Sequence, residues 1–182
     1  MGKKPKKILE LPWHPLMNLA IHEASHAVVG LHYDHSIIHI ELYRVSGQVR
    51  FTDRSWVRGI PDHRENLAID VAGCVGEAIY TERYDLPREH KLSWKGEEGE
   101  GDWTDYAKAM RRAEMICRLR LKTRDPLPDG ATFEELLRAE RRAERILVQK
   151  WDQVEKLAYS LMVRVSGRMT GKQVNRLLGR AG

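Results

Sequence analysis

Residues 16–32 read LMNLAIHEASHAVVGLH, and this stretch limits the fold more than any other in the chain. Its apolar residues recur at three- and four-residue spacing, which predicts an amphipathic helix ending near His32. Two histidines, His22 and His26, lie inside the apolar run with Glu23 between them. The neighbouring alanines and valines give the helix a face to bury, so both imidazoles would be held rigidly and away from water.

The spacing of His22 and His26 favours a metal ion. Residues i and i+4 of a helix share one face, so both imidazoles can reach one ion. Zinc suits this pair because imidazole nitrogen binds it at roughly 2.0–2.1 Å. Glu23 is rotated away from His22, which puts its carboxylate beside the metal, where a general base for water belongs. The simpler interpretation is a helix with two histidines by chance, since the motif is short and the chain has eight histidines.

A catalytic zinc ion normally has three protein ligands and one open position, so a third ligand is needed. His32 stands six residues after His26, the spacing of HExxHxxGxxH proteases. That motif requires glycine where this chain has Val29, and a β-branched residue resists the left-handed turn. His32 is therefore expected to follow the end of the helix. Glu77 and Asp105 are the other candidates, and spacing alone does not choose between them.

The stretch SIIHIELYRVSGQVRFTD, residues 36–53, predicts two antiparallel strands. Ile38, Ile40 and Leu42 alternate with polar residues, and a glycine-containing turn follows them. No other part of the chain gives a convincing strand pattern. The predicted fold class is therefore mainly α, with one short β-hairpin or small sheet after the histidine helix.

Three helical segments follow the predicted hairpin. Residues 63–84 form one predicted helix, in which Ala72, Gly73 and Gly76 leave room for another helix to approach closely. A second predicted helix runs from near Asp102 to Lys122, where RDPLPDG ends it. Residues 131–167 then form a long helical pattern.

Two sequence patterns predict capping boxes at helix starts. Thr132 with Glu135 is the first and would open the long helical pattern. Thr170 with Gln173 is the second, before a short helix that ends at about Leu178. Each pattern places a hydroxyl and a carboxylate or amide three residues apart, so that each side chain can bond to the other residue's backbone N–H.

Composition and charge narrow the class of protein. The 182 residues fit a basic tail with a proline-containing lead-in over residues 1–15 and a single domain over residues 16–182. The net charge of +5 includes the solvated GKKPKK tail. Because no recognised nucleic-acid-binding motif accompanies this tail, we predict no nucleic-acid partner.

The cysteines and the hydropathy indicate the compartment. Cys74 and Cys117 fit neither a CxxC metal site nor a disulfide framework. No long charge-free stretch occurs, so a cytoplasmic protein without a membrane span is expected.

Several segments resemble the peptidase domain of FtsH-type membrane AAA proteases. HEASHAVVG resembles the HEAGHAVVG signature, and IIHIELYRVSGQVRFT resembles the short hairpin after the zinc helix. VAGCVGEAIY resembles the LAGRAAEE-like helix, and GDWTDYAKAMRRA resembles the G-x-x-x-D-L-x-x-A-T segment. The last segment, from AERILV to NRLL, resembles the closing pattern of a long helix and a short helix. The likeness extends from about Leu16 to Leu178, with all segments in family order.

The resemblance implies a zincin-like helical metallopeptidase domain with one zinc ion per chain. It makes His22 and His26 the first two ligands, Glu23 the general base and Asp105 the third ligand. Glu77 matches the glutamate of the LAGRAAEE-like helix and would orient a ligand histidine. A packing or salt-bridged glutamate is the alternative for Glu77.

The chain also departs from the family pattern. Ser25 replaces the glycine of HEAGH, and Met110 replaces the threonine of the G-x-x-x-D segment. No G-x-x-x-x-G-K-[ST] motif for an AAA ATPase occurs. The expected protein is therefore an ATP-independent zinc metalloendopeptidase. Its substrate would be an unfolded or flexible polypeptide that arrives alone or through a separate unfoldase or delivery protein.

Other features leave alternatives open. The strands over residues 37–52 either bind substrate as an added strand or form a purely structural hairpin. The peptidase domains of the resembling family form hexameric rings, so a homo-oligomer is expected here. A catalytically silent, metal-binding interaction module of the same fold is the rival to a peptidase, although all the residues for the chemistry are present. A protease that cuts a single regulatory protein is a third hypothesis.

Overall fold

The computed structural model describes residues 15–43, 46–52, 59–86, 105–164 and 166–180, apart from the side chains of residues 15, 60, 105 and 106. Six helices and one small antiparallel sheet account for the regular structure in these ranges, so the protein is mainly helical, as predicted. None of the helices in these ranges is long and apolar enough to cross a membrane. The predicted basic tail lies outside the described residues.

The six helices of the described ranges match the predicted bounds closely, except that the single pattern predicted over residues 131–167 forms two of them. They are α1 (Pro15–His32), α2 (Ile60–Arg83), α3 (Asp105–Leu121), α4 (Ala131–Gln149), α5 (Trp151–Met162) and α6 (Gly171–Leu178). The strands are β1 (Ile37–Leu42), β2 (Gly47–Phe51) and β3 (Arg168–Thr170). The predicted histidine helix is α1, and it differs from the prediction by one residue at its start.

Helix α1 lies at the centre of the hydrophobic core, because most of its circumference is apolar. Ala20, Ala24 and Ala27 are fully buried along it, and α2, α5 and the sheet pack around it. The glycines of α2 face this helix, as the small residues predicted. A Cβ on Gly76 would overlap the Ser25 hydroxyl of α1. The two helix backbones therefore approach more closely than larger side chains would allow.

The sheet has three antiparallel strands in the order β2-β1-β3, with β1 in the middle. The hairpin of β1 and β2 was predicted, whereas β3 was not. Ile37, His39 and Ile40 are buried, but Ile38 is exposed, so the predicted alternation from Ile38 is wrong at that residue. A register shift between Ile37 and His39 explains it, since a bulge changes the face on which side chains lie.

The long helical pattern over residues 131–167 is interrupted once. α4 ends before Lys150 and α5 begins after it, where the Lys150 N–H bonds to both Ile146 O and Leu147 O. No proline or glycine marks the interruption, so the sequence pattern carried no sign of it. The two helices bury Ile146, Val154, Leu157 and Leu161 in the core.

The two predicted capping boxes have different outcomes. Thr170 and Gln173 form theirs: the Thr170 N–H donates to Gln173 Oε1 at 2.8 Å, and the Gln173 N–H donates to Thr170 Oγ1 at 3.4 Å. The box at Thr132 and Glu135 is wrong. α4 starts directly after Gly130, whose φ is 76°, without a side-chain cap, and the Glu135 carboxylate is buried among arginines.

The two cysteines lie on different helices and are not bonded to each other. Both are buried, Cys74 on α2 and Cys117 on α3. The Cys117 thiol donates to Ala131 O at 3.4 Å and packs α3 against the start of α4. Burial, assisted by the nearby Glu135 charge, raises the pKa of Cys117, so this thiol stays protonated at neutral pH.

Candidate metal centre

Helix α1 brings the two histidines of the motif together. His22 and His26 lie one turn apart, and their Nε2 atoms are 3.0 Å from each other. The rings meet edge to face with centroids 4.7 Å apart. Two nitrogens bound to a tetrahedral zinc ion lie about 3.3 Å apart. The spacing of the two imidazoles is therefore close to one edge of a zinc coordination tetrahedron.

Helix α2 supplies a hydrogen-bond acceptor to the other nitrogen of each ring. His22 Nδ1 is 2.6 Å from Glu77 Oε1, and His26 Nδ1 is 2.6 Å from Ile69 O. A carboxylate and a carbonyl only accept, so both Nδ1 atoms donate and each neutral ring presents an Nε2 lone pair. Two lone pairs at 3.0 Å repel unless a cation, a proton or a metal ion, lies with them. The donor set thus fits a metal ion.

The Glu77 carboxylate is itself held in place. Its Oε2 accepts a hydrogen bond of 2.9 Å from Asn18 Nδ2, one turn before His22 on α1. The side chain is buried between the two helices, with 12% of its surface exposed. Such a carboxylate fixes the tautomer and orientation of an imidazole and makes it a better ligand. The contact fits both the orienting role that the resemblance implies for Glu77 and the alternative of a packing or salt-bridged glutamate.

Gly73 keeps the space in front of the two imidazoles open. It stands on α2 midway between Ile69 and Glu77, facing α1. A Cβ at Gly73 would lie 2.5 Å from His26 Nε2 and would overlap His22 Nε2. Glycine is therefore required where the two lone pairs converge, and any side chain here would occupy the position of an ion.

Glu23 lies beside the histidines under the start of β2. Its side chain is buried, and a Cβ on Gly47 would lie 2.5 Å from Glu23 Cγ and 2.7 Å from Oε1. The backbone of β2 therefore packs directly on the carboxylate. Glu23 and His26 line a cleft of about 410 Å³ between this strand and α2 and α3. The other residues lining it include His35, Gln48, Phe51, Asn66, Asp70 and Arg112.

The remaining candidate ligands differ in what the structure describes. Asp105 is the first residue of α3, but its side chain is outside the described part of the molecule. His32 is the last residue of α1, exposed, with its ring edge-on to Tyr33 at 5.0 Å. The helix runs through Val29 to His32 without a turn, as expected. In the ranges given above, no group of three or more His, Cys, Asp or Glu side chains is arranged to hold a metal ion.

The two departures from the family pattern are accommodated in the packing. Ser25 is fully buried, and its hydroxyl donates to Ile21 O at 2.7 Å within α1. Met110 is partly buried against the core. Among the described hydrogen bonds, neither side chain bonds to His22 Nε2 or to His26 Nε2.

Three contributors to the centre were missed in the sequence. The Ile69 carbonyl is a backbone group, so its role has no side-chain signal. Asn18 lies one turn before His22, a spacing that would have placed it on the same face of α1. Gly47 was predicted only as a turn residue of the hairpin.

Comparison with family models and with curated proteins gives no match to this chain. The likeness to FtsH-type peptidase domains therefore rests on the sequence motifs alone.

Proposed function

We propose that this protein is an ATP-independent zinc metallopeptidase that hydrolyses unfolded or flexible polypeptides. The observation that carries the proposal is that two acceptors on α2, Glu77 Oε1 and Ile69 O, each accept the Nδ1–H of one imidazole. Both Nε2 lone pairs therefore converge in front of Gly73. His22 and His26 would hold the ion. Asp105 is the proposed third ligand, on the strength of its sequence motif.

The chemistry divides between the ion and the chain. Zinc, when bound, supplies a Lewis acid that polarises a peptide carbonyl and makes water more acidic. The Glu23 carboxylate takes the proton from the attacking water and then delivers it to the nitrogen of the leaving amine. Glu77 and the Ile69 carbonyl hold the two imidazoles in position throughout. The buried position of Glu23 favours this role, because water-poor surroundings strengthen its interactions with charge.

The cleft suggests how a polypeptide would bind. β2 is an edge strand of the sheet, and its residues form one wall of the cleft. An extended chain added along this strand would bind mainly through its backbone. Because Gly47 packs on Glu23, such a chain would run beside the general base. Backbone binding of this kind gives loose side-chain selectivity, which suits unfolded substrates.

Hydrolysis of casein by the zinc-loaded protein tests the proposal. Glu23→Gln should retain zinc and lose at least about 100-fold in rate, the usual contribution of a general base. Glu134→Gln, an exposed substitution elsewhere, is the matched control and should cleave casein at the wild-type rate. Equal activity in Glu23→Gln and wild type would rule out Glu23 as the base. A wild-type protein that holds zinc but cleaves nothing would favour the metal-binding interaction module instead.

A further inference from the structure

Three arginines surround one buried carboxylate at the junction of α2, α3 and α4. The Glu135 side chain is 1% exposed, and its Oε1 accepts from Arg64, Arg120 and Arg138 at 3.3, 3.1 and 2.8 Å. The three arginines come from α2, α3 and α4 respectively. Their guanidinium groups therefore converge on a single oxygen atom.

Positive charge exceeds negative charge in this cluster. One guanidinium is enough to neutralise a buried carboxylate, and the two others bring like charges close together. Glu134 contributes one further carboxylate through Arg138 Nη2 at 3.2 Å, but its side chain is 63% exposed and largely screened by water. Three partly exposed guanidinium groups therefore share one buried carboxylate, and a bound anion would offset the remaining repulsion between them.

The arginines also have hydrogen-bond donors to spare. Their side chains are 30–45% exposed, so part of each guanidinium reaches solvent. Arg64 Nε is buried and lacks a hydrogen-bond partner among the described residues. Each guanidinium carries several N–H groups in a planar fork, of which Glu135 uses one per arginine. Such forks match the oxygens of a phosphate group in pairs.

We propose that Arg64, Arg120 and Arg138 form a binding site for an oxyanion of the phosphate class. Glu135 would act as the positioning group, because its single oxygen draws three guanidinium groups from three helices to one place. The ligand is a phosphate group, either free orthophosphate or the head of a phosphate monoester. The N-terminus of α4, one turn before Glu135, adds positive potential in the same region.

The proposed site is distinct from the metal centre and does not depend on the proposed peptidase function. It has a structural link to it, however, through α2. That helix carries Arg64 near its start and Ile69 and Glu77 further along. An anion that ties Arg64 to Arg120 and Arg138 would hold α2 against its neighbours, and α2 orients the two imidazoles.

Titration calorimetry with orthophosphate tests the site, at constant ionic strength in chloride and at concentrations too low for general salt stabilisation. The wild type should bind about one phosphate, and Arg120→Gln should weaken the affinity about ten-fold, the effect of losing a charged hydrogen-bond partner. Arg118→Gln is the matched control on the same helix, since Arg118 pairs with Glu114 instead. Its affinity should stay within about two-fold of wild type, because long-range charge is screened.

Phenyl phosphate in a parallel titration distinguishes the two sources of the phosphate group. Tighter binding of the monoester supports a phosphorylated ligand, and tighter binding of orthophosphate supports the free ion. If Arg120→Gln does not fold by circular dichroism, Arg138→Gln, whose side chain is more exposed, replaces it. No binding to the wild type, or equal loss in Arg118→Gln, would overturn the proposal and leave the cluster as a purely structural contact between helices.

Discussion

Two buried glutamates, Glu77 on α2 and Glu135 on α4, have opposite electrostatic surroundings. Glu77 accepts from an imidazole, which can be neutral, and from the neutral amide of Asn18, and neither of these donors is a guanidinium or an ammonium group. Glu135 accepts from three guanidinium groups and is outnumbered by positive charge. The charge balance of the first favours a cation beside it, and that of the second favours an anion.

The comparison teaches that burial alone does not assign a role to a carboxylate. Both glutamates lie in helices that pack on the core, and each makes contacts with residues far away in the sequence. What separates them is the protonation chemistry of their partners: an imidazole can lose its proton and bind a metal ion through the freed lone pair, whereas a guanidinium stays protonated.

The largest expected effect follows from filling the space in front of the imidazoles. Gly73→Ala places a methyl group where both Nε2 lone pairs converge, so zinc affinity should fall by more than about 100-fold, as for removal of a metal-supporting group or worse. Competition with a chromophoric chelator measures this affinity. Gly76→Ala on the same helix is the control, because its Cβ meets Ser25 rather than the histidines.

Gly76→Ala should lower the free energy of unfolding yet retain most of the zinc affinity. If both alanine variants lose zinc equally, separation of α1 from α2 causes the loss, and Gly73 has no special place at the centre. Wild-type affinity in Gly73→Ala would contradict the proposed position of the ion itself.

The second prediction concerns Glu77, the carboxylate whose surroundings favour a cation. Glu77→Gln keeps the shape of the side chain but removes the charge that supports His22, so zinc affinity should fall about 10–100-fold. Asn18→Ala removes one hydrogen bond to Glu77 and should have a smaller effect of a few-fold. Glu82→Gln, exposed on the same helix, serves as control. Chelator competition that finds Glu77→Gln unchanged would leave Glu77 a packing residue.

The third prediction concerns Glu135, the carboxylate that is surrounded by three arginines, and its test is the substitution Glu135→Gln. It leaves three guanidinium groups without their shared carboxylate, and because these are partly exposed we expect a loss of about 2 kcal/mol rather than the full cost of a buried charge. Urea unfolding measures it. Glu134→Gln, next in sequence and largely exposed, should change stability by less than about 1 kcal/mol. Equal losses of unfolding free energy in the two variants would show that the buried position of Glu135 makes no extra contribution to stability.

A third carboxylate provides the smallest effect. Glu155 accepts from Trp151 Nε1 at 2.7 Å and from the Tyr84 hydroxyl, so it resembles Glu77 in having neutral donors. Burial and the hydrogen bond to Glu155 raise the pKa of Tyr84 to about 12 from 10.0. The resulting stabilisation is present below the unfolded pKa and is lost as pH rises through the folded one. We therefore expect Tyr84→Phe to lose less free energy of unfolding than the wild type as pH rises from 10.0 to about 12. Urea unfolding at a series of pH values measures this loss.

The parts of the fold with local signals were predictable. The apolar period gave α1, the turn residues gave the hairpin of β1 and β2, and the pattern of Thr170 and Gln173 gave the start of α6. Strand β3 is three residues long and pairs with β1 from more than a hundred residues away. A strand that short has no readable period, so its pairing depends on the completed fold.

Glu135 shows why a local pattern can mislead. Thr132 and Glu135 have the spacing of a capping box, yet Glu135 faces the core, where arginines of α2 and α3 reach it. Those contacts join residues distant in the sequence, and no pattern within one helix predicts them. The same reason explains why only part of the candidate metal centre was predictable. His22, Glu23 and His26 form a local motif, whereas the Ile69 carbonyl reaches His26 only because α2 packs across α1.

The most direct test of the account is zinc content per chain, measured by elemental analysis after reconstitution and dialysis. We expect about one zinc ion in the wild type, none in the double variant His22→Ala with His26→Ala, and a reduced amount in Asp105→Asn. A wild type without stoichiometric zinc, or a double variant that keeps it, would contradict the assignment of the converging imidazoles as a zinc centre. Full zinc in Asp105→Asn alone would keep the centre and remove Asp105 as its third ligand.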